Sequence, residues 1–264
     1  MSFLEAIVLG IVQALTEFLP ISSSGHLVIF QHFLGLNEPL VAFDVLLHVG
    51  TLIAVLAFYR REIGAIIVSL FAPARSPGGR RLAGMIIIAS IPTALIGLGF
   101  ESFIESLFQE PLAVAFFWIL TASLLFGVSR LPEGNKTVAE ITVSDALLIG
   151  LFQGMAILPG VSRSGATIVM GMICGLHPRE AANFSFLIFL PAIFGATLLQ
   201  AKDLGAVDGQ EAGVYIAGAL VAAVVSYAAI WFLLRLLRNR ILQPFAWYCL
   251  AAAAVTLMLL GLAA

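Results

Sequence analysis

Pro159-Gly-Val-Ser-Arg-Ser-Gly-Ala-Thr167 puts one arginine and three hydroxyl side chains inside an otherwise apolar sequence. Pro159 and Gly160 end the apolar run before them, and Ser162 is a good N-cap for the run that follows. The stretch therefore predicts helix, break, helix, with the new helix opening at Ser162. The first free N–H groups of such a helix carry roughly half a positive charge, and Arg163 adds a permanent charge on a planar fork suited to phosphate. The expected use is an anion site. The alternative use is structural, as an arginine paired to backbone carbonyls or a polar helix end at a membrane interface. An ionisable side chain within an apolar segment favours the functional use.

The surroundings of this stretch define the class of protein. The chain has 264 residues, 61% hydrophobic and 11% charged, with a mean hydropathy of +1.08, which excludes an ordinary soluble domain and predicts an all-α polytopic membrane protein. Apolar runs near twenty residues recur, whereas the short alternating segments of an outer-membrane barrel do not. One membrane domain, 1–264, is expected. The N-terminal run contains Glu5 and Glu17 and lacks a basic leader and a small-residue cleavage site, so it reads as a retained helix. Cys174 and Cys249 lie in apolar runs without metal spacing and read as packing residues.

Taken in order, Ser2 to Leu19 is apolar, with Gln13 and Glu17 one turn apart on one face, and Pro20 ends it. Ser22-Ser-Ser-Gly-His26 opens a second short run to about Leu36. Neither run crosses a bilayer comfortably, so the pair predicts a re-entrant hairpin with a polar tip. Spans are expected at about 40–59, 82–100 and 112–129. A second short pair, 145–158 and 162–175, surrounds the arginine motif, and spans follow at about 181–200, 212–234 and 244–262. A shift of 140 residues aligns Gly10 with Gly150, Gln13 with Gln153, Ser22 with Ser162, Ser24 with Ser164 and Gly25 with Gly165. A shift of 141 aligns Phe43-Asp-Val-Leu46 with Phe184-Ser-Phe-Leu187. The chain thus reads as two repeats, about 1–129 and 141–264, against the alternative of chance likeness between apolar helices.

Charge gives the topology. Arg60, Arg61, Arg75, Arg80 and Arg81, then Arg130 and Lys136, Arg179, and Arg235, Arg238 and Arg240 fall in alternate loops, which are expected in the cytoplasm. The intervening loops hold Glu101, Glu105, Glu110, Asp203, Asp208 and Glu211 against Lys202. With both hairpins re-entrant, about six spans satisfy this alternation, both termini lie outside, and the hairpins enter from opposite faces. That is an inverted-topology repeat whose tips are expected to meet near the midplane.

Joined tips would form a pocket with Arg163 and two helix N-termini as positive potential, Glu17 as carboxylate and His26 as titratable base. Glu17 paired with Arg163 would offset the burial cost of each, although a purely structural pair would do the same. Ser23 and His26 stand three apart at a helix start, the spacing a hydroxyl nucleophile and its base require, and either His26 or Glu17 is expected to take the Ser23 proton. The rival is a water positioned by Glu17 and a metal ion, with Ser23 only donating a hydrogen bond to phosphate. Alternatively the serines are caps and His26 is interfacial. Asp44 and His48, one turn apart in the next span, could support the site or pack within the helix.

Gln13-Ala-Leu-Thr-Glu-Phe-Leu-Pro-Ile-Ser-Ser-Ser-Gly-His26 and Pro159 to Thr167 resemble the two signature motifs of the undecaprenyl-diphosphate phosphatase (UppP/BacA) family, and the resemblance runs essentially the whole chain. It implies an inner-membrane enzyme of bacteria, open to the periplasmic side. Such an enzyme removes the terminal phosphate of an isoprenoid lipid diphosphate to give the carrier for cell-wall precursors, with associated bacitracin resistance. It implies Glu17, Ser23, His26 and Arg163 as catalytic residues. Ser22, Ser24, Ser162, Arg163, Ser164 and Thr167 would bind phosphate. A divalent cation, Mg²⁺ or Ca²⁺, would be required, with Glu17 as a metal ligand near Gln13. Gln13 stands where the family also has glutamate, which removes one negative ligand. The expected partners are the lipid substrate and the bilayer, with no nucleic acid; the oligomeric state is open, a homodimer included. The competing class is a lipid-phosphate transporter or flippase, since inverted repeats with facing helix N-termini also build carriers for anions. The Ser23–His26 pair favours catalysis, because a carrier needs no nucleophile.

Overall fold

The computed structural model describes residues 1–33, 41–72, 78–200, 209–239 and 241–263. Leu36, Arg75, Lys202, Asp203, Asp208 and Arg240, used above to bound the second run and assign the loops, lie outside the described residues. Twelve α-helices account for most of the described chain: α1 Phe3–Phe18, α2 Ser23–Phe33, α3 Val41–Phe58, α4 Arg60–Phe71, α5 Gly79–Gly99, α6 Glu101–Leu107, α7 Pro111–Val128, α8 Val143–Met155, α9 Arg163–Ile173, α10 Pro178–Leu199, α11 Gly209–Leu237 and α12 Gln243–Ala263. The protein is an all-α polytopic membrane protein. Five helices, α5, α7, α10, α11 and α12, are long and apolar enough to cross a bilayer, and α3 with α4 forms a sixth candidate bent by 76°.

The bend corrects one expectation, since 60–71 was read as loop and is helical. Ile63, Ile66, Ile67 and Leu70 recur at helical spacing behind the polar start Arg60-Arg-Glu62, which gives α4 an apolar stripe. Glu62 complements the positive end of α4. Arg80 reaches its negative end, donating from Nε to the Ser69 carbonyl (2.9 Å) and from Nη2 to that of Leu70 (2.9 Å).

Helices α1, α2, α8 and α9 contain 16, 11, 13 and 11 residues. At ~1.5 Å per residue the longest reaches only ~24 Å, short of a hydrocarbon core ~30 Å thick. They pack as two hairpins, α1 on α2 and α8 on α9. Both hairpins open with a capping box at the 140-residue shift. Ser2 caps α1 reciprocally with Glu5, and Thr142 caps α8 reciprocally with Asp145. The second cap moves the start of that hairpin from the expected 145 to Val143.

Each hairpin packs on a long helix of the other half, α1 along α11 and α8 along α5, while α7 packs against α12 and α3 against α10. Glycines allow the closest crossings. A Cβ on Gly10 would run into the Gly218 carbonyl of α11, and one on the aligned Gly150 would run into the Ala89 carbonyl of α5. Phe43 and Phe184, also aligned, are both fully buried, and Phe18 is packed edge-on to Phe186 and Phe189. Phe189 of this group lies under the Arg163 guanidinium.

Candidate active site

The two tips are joined by hydrogen bonds in both directions. Ser22 sits at φ 67°, in the left-handed region, and its Oγ accepts the N–H of Gly25 (3.3 Å) and, across the junction, that of Gly160 (3.1 Å). In return Ser164 Oγ donates to the Leu19 carbonyl (3.1 Å). Gly160 has φ 103°, and an added Cβ would meet the Val114 carbonyl at 2.6 Å, so both backbone conformation and space require glycine there. Three further tip carbonyls accept from surrounding helices. Trp118 Nε1 donates to Ile21 (2.8 Å), the Cys249 thiol to Pro20 (3.7 Å) and Thr121 Oγ1 to Gly160 (3.0 Å). Backbone that could not otherwise be satisfied away from water is thereby paired. Cys249, read as a packing residue, therefore also donates to a tip.

Two of the expected phosphate-binding hydroxyls, Ser22 and Ser164, make the bonds across this junction. Ser162 caps α9 as expected, accepting the Gly165 N–H at 3.1 Å, and lies 3.2 Å from Ser164 Oγ. Ser22 and Ser24 reproduce that pairing at 3.3 Å in the first hairpin. Thr167 Oγ1 is buried against the Arg163 carbonyl (2.8 Å) and Ser185 Oγ (2.6 Å).

The functional charges converge beside them. Glu17 lies on the last turn of α1, Ser23 on the first turn of α2 and Arg163 on the first turn of α9. Arg163 Nη2 is paired with Glu17 Oε1, and the Phe189 ring lies 3.8 Å beneath the guanidinium carbon. Ser23 Oγ donates to Glu17 Oε2, which also accepts from Gln13 Nε2 at 2.9 Å. Glu17 is 5% exposed and Ser23 9% exposed, so the carboxylate is satisfied by protein groups. Arg163 is not: its Nη1 is buried without a partner. A fixed positive charge with one free donor nitrogen, beside a hydroxyl bonded to a carboxylate, fits the oxygen of an incoming phosphate.

His26 is placed apart from this group. The i, i+3 spacing was read as a Ser23–His26 pair, but the ring turns back along its own helix. Its Nδ1 donates to the Ser22 carbonyl (2.6 Å), and its Nε2 meets the Tyr248 hydroxyl at 2.6 Å while the two rings stack. With Nδ1 facing a carbonyl, the neutral ring has its lone pair at Nε2, already engaged by Tyr248. Ser23 takes Glu17 as its acceptor instead. His26, Trp118 and Tyr248 line one end of a cavity of about 300 Å³ that continues along Ile29, Phe30 and the α12 residues Ala251, Ala252 and Val255. Tyr248 is 222 residues from His26, a separation no local pattern could have bridged.

His48 was read only as a candidate support, and it comes within 3.7 Å of Glu17 Oε2. Asp44, its neighbour one turn back, accepts from Gln31 Nε2 at 2.8 Å. As a metal site the cluster is poor. Glu17 is its single carboxylate, both of whose oxygens already accept hydrogen bonds, and among the described residues no three His, Cys, Asp or Glu are grouped to hold an ion. Mg²⁺ and Ca²⁺ take six or more oxygens, and these residues alone do not form a cage for either; a bound ion would draw most of its oxygens from water and phosphate.

The fold and site define a class: a polytopic helical membrane protein in which two short hairpins bring a buried arginine, a carboxylate and a hydroxyl to one point, built to handle an anionic group. Residues 6–255 match the model of the family described as bacitracin resistance protein BacA, and the chain belongs to that family. It is similar to proteins named undecaprenyl-diphosphatase. That of Syntrophotalea carbinolica is 45% identical over 94% of this chain and 95% of its own length. That of Methanobrevibacter smithii is 42% identical over 98% of each chain. That of Carboxydothermus hydrogenoformans is 42% identical over 94% of each.

Proposed function

We propose that this chain is an undecaprenyl-diphosphate phosphatase, hydrolysing undecaprenyl diphosphate to undecaprenyl phosphate and inorganic phosphate and so recycling the lipid carrier of cell-wall synthesis and conferring bacitracin resistance. The family and the names of the relatives support the substrate. The observation that carries the chemistry is the Ser23–Glu17–Arg163 group with its free Arg163 Nη1. Arg163 holds the terminal phosphate, and Ser23 Oγ attacks its phosphorus as Glu17 Oε2 takes the hydroxyl proton. The bond from phosphorus to the bridging oxygen breaks, and the lipid monophosphate leaves with the electron pair. Water then hydrolyses the phosphoserine. A carrier for lipid phosphates would need the arginine but not a hydroxyl held by a carboxylate, and the Ser23–Glu17 bond favours the enzyme.

The reading includes the bacterial inner (plasma) membrane as its location, an inverted-repeat topology with the site open to the periplasmic side, and a divalent cation that arrives as counter-ion of the diphosphate. The 140-residue correspondence of caps, glycine crossings and tip hydroxyls supports the repeat. Purified protein in detergent, given farnesyl or undecaprenyl diphosphate, is expected to release inorganic phosphate. Failure on every isoprenyl diphosphate tried, by protein that remains folded, would sink the reading.

A further inference from the structure

Helix α4 stands where the sequence predicts a loop, and it takes no part in phosphate release. Helix α3 has 18 residues, ~27 Å, and by itself nearly fills a hydrocarbon core ~30 Å thick. The 12 residues of α4, ~18 Å, leave α3 at 76°, so α4 advances only ~4 Å further along the α3 axis. Arginines mark both of its ends. Arg60 and Arg61 stand at the bend where α3 stops, and Arg80, at the start of the span α5, holds the Ser69 and Leu70 carbonyls at the other end. Guanidinium groups sit at headgroup level rather than in hydrocarbon, so both ends of α4 lie there and the helix runs along the membrane plane. Its surface has three faces. Ser69 is buried, with Ile63 and Ile66 packed on the core. Arg61, Glu62 and Ala65 are exposed and polar or small. Ile67, Val68 and Phe71 are exposed and apolar, Phe71 to 85%, and at helical period they share an arc of about 100°.

We infer that α4 is an interfacial helix that binds anionic phospholipid on the arginine-rich side of the membrane. Ile67, Val68 and Phe71 enter the acyl boundary, while Arg60 and Arg61 take headgroup phosphates. Charge selects the lipid, since residues 60–81 contain five arginines and one acidic residue, Glu62. Arg60 uses Nη1 on the Ala57 carbonyl (3.0 Å) and keeps the rest of its fork, and Arg61 bonds to no other described residue. A guanidinium fork matches the two free oxygens of a phosphodiester. A second copy of the chain laid on this face about a two-fold axis would set the same arginines against each other, which disfavours that occupant. The inference is independent of the phosphatase reading, and its test uses no substrate.

The full chain, lacking Cys174 and Cys249 and carrying a nitroxide on Phe71→Cys or Ala65→Cys, is placed in nanodiscs of phosphatidylglycerol and phosphatidylcholine. Oxygen, which concentrates in hydrocarbon, is expected to relax the label at Phe71→Cys, and a water-soluble nickel complex the label at Ala65→Cys. Equal nickel access at both positions would overturn the interfacial placement. Loss of access to both reagents at Phe71→Cys would mean a protein cover, a second copy included, and would overturn the lipid occupant. Binding of each lipid to the protein in neutral detergent is then compared by native mass spectrometry. Wild type is expected to prefer phosphatidylglycerol, and Arg60→Gln combined with Arg61→Gln is expected to lose about 25-fold in affinity for it, about fivefold per arginine, with phosphatidylcholine unchanged. Because Arg60 also holds the Ala57 carbonyl at the bend, Arg61→Gln alone, with an expected loss of about fivefold, keeps the test valid if the double variant misfolds. Equal affinity for the two lipids in wild type, or unchanged phosphatidylglycerol affinity in Arg61→Gln, would overturn the recognition of anionic lipid.

Discussion

Arg163 holds Glu17 with Nη2 and leaves Nη1 free. Lysine in its place would keep the charge and lose the second donor nitrogen of the fork. Arg163→Lys is therefore expected to insert and fold while kcat for phosphate release falls about ten- to a hundredfold, the cost of one charged hydrogen bond. Activity within a few-fold of wild type would remove the side chain from the phosphate site. Ser23 separates two chemistries. As nucleophile its loss leaves almost nothing, whereas loss of a hydrogen bond to a charged group costs roughly 1.5–3 kcal/mol, about ten- to a hundredfold. Ser23→Ala is expected to retain well under about a tenth of wild-type turnover. A variant keeping more than that would replace the phosphoserine by a water activated at Glu17.

Among the helices, the crossings of α1 with α11 and of α8 with α5 depend on glycine because backbone meets backbone there. Valine at Gly150 would force its Cβ into the Ala89 carbonyl of α5, and the α8 backbone cannot move without disturbing the tip it carries. Gly150→Val is expected to cost about 1–3 kcal/mol, the range for overpacked sites, and to lower the thermal midpoint in detergent. Gly64 of α4, whose Cβ position is open, supplies the control, since Gly64→Ala is expected to be neutral or slightly stabilising. Equal midpoints for Gly150→Val and wild type would mean that the crossing is looser than the structure has it.

Over the whole molecule, loops assigned to one side by their charges touch one another. Arg81 donates to the carbonyls of Ala139 and Ile141, Tyr59 to Asn183 (3.0 Å), and the Val138 N–H to Glu180 (3.1 Å). Lys136 pairs with Asp145 at 3.3 Å, and its backbone bonds to Gly175 and His177. The topology is tested in intact cells with cysteines at the exposed Glu105 and Glu133, in a background lacking Cys174 and Cys249. A membrane-impermeant thiol reagent is expected to label the first and leave the second unlabelled. The reverse pattern, or equal labelling, would refute the inverted orientation.

Hydropathy and proline breaks sufficed for the all-α membrane class, the two short helix pairs and the Ser162 cap, because each depends on residues adjacent in sequence or on the bilayer as solvent. The Glu17–Arg163 pair was also legible, since two opposite charges stranded in apolar segments need each other. Partner choice was legible only in part. The sequence offers both His26 and Glu17 as acceptor for Ser23, and helical spacing gives only the face on which a side chain starts. The left-handed turn at Ser22 swings its carbonyl onto His26 Nδ1, and Tyr248, brought in by α12, takes the other nitrogen. Ser22 and Ser164, expected to grip phosphate, also satisfy the backbone of the opposite tip, a demand that arises only once the tips meet. His48, read as a supporting residue, became a neighbour of the carboxylate because α3 runs past the end of α1. A hydrogen bond is a property of three-dimensional proximity and competition for donors, and only the packed helices decided which groups competed.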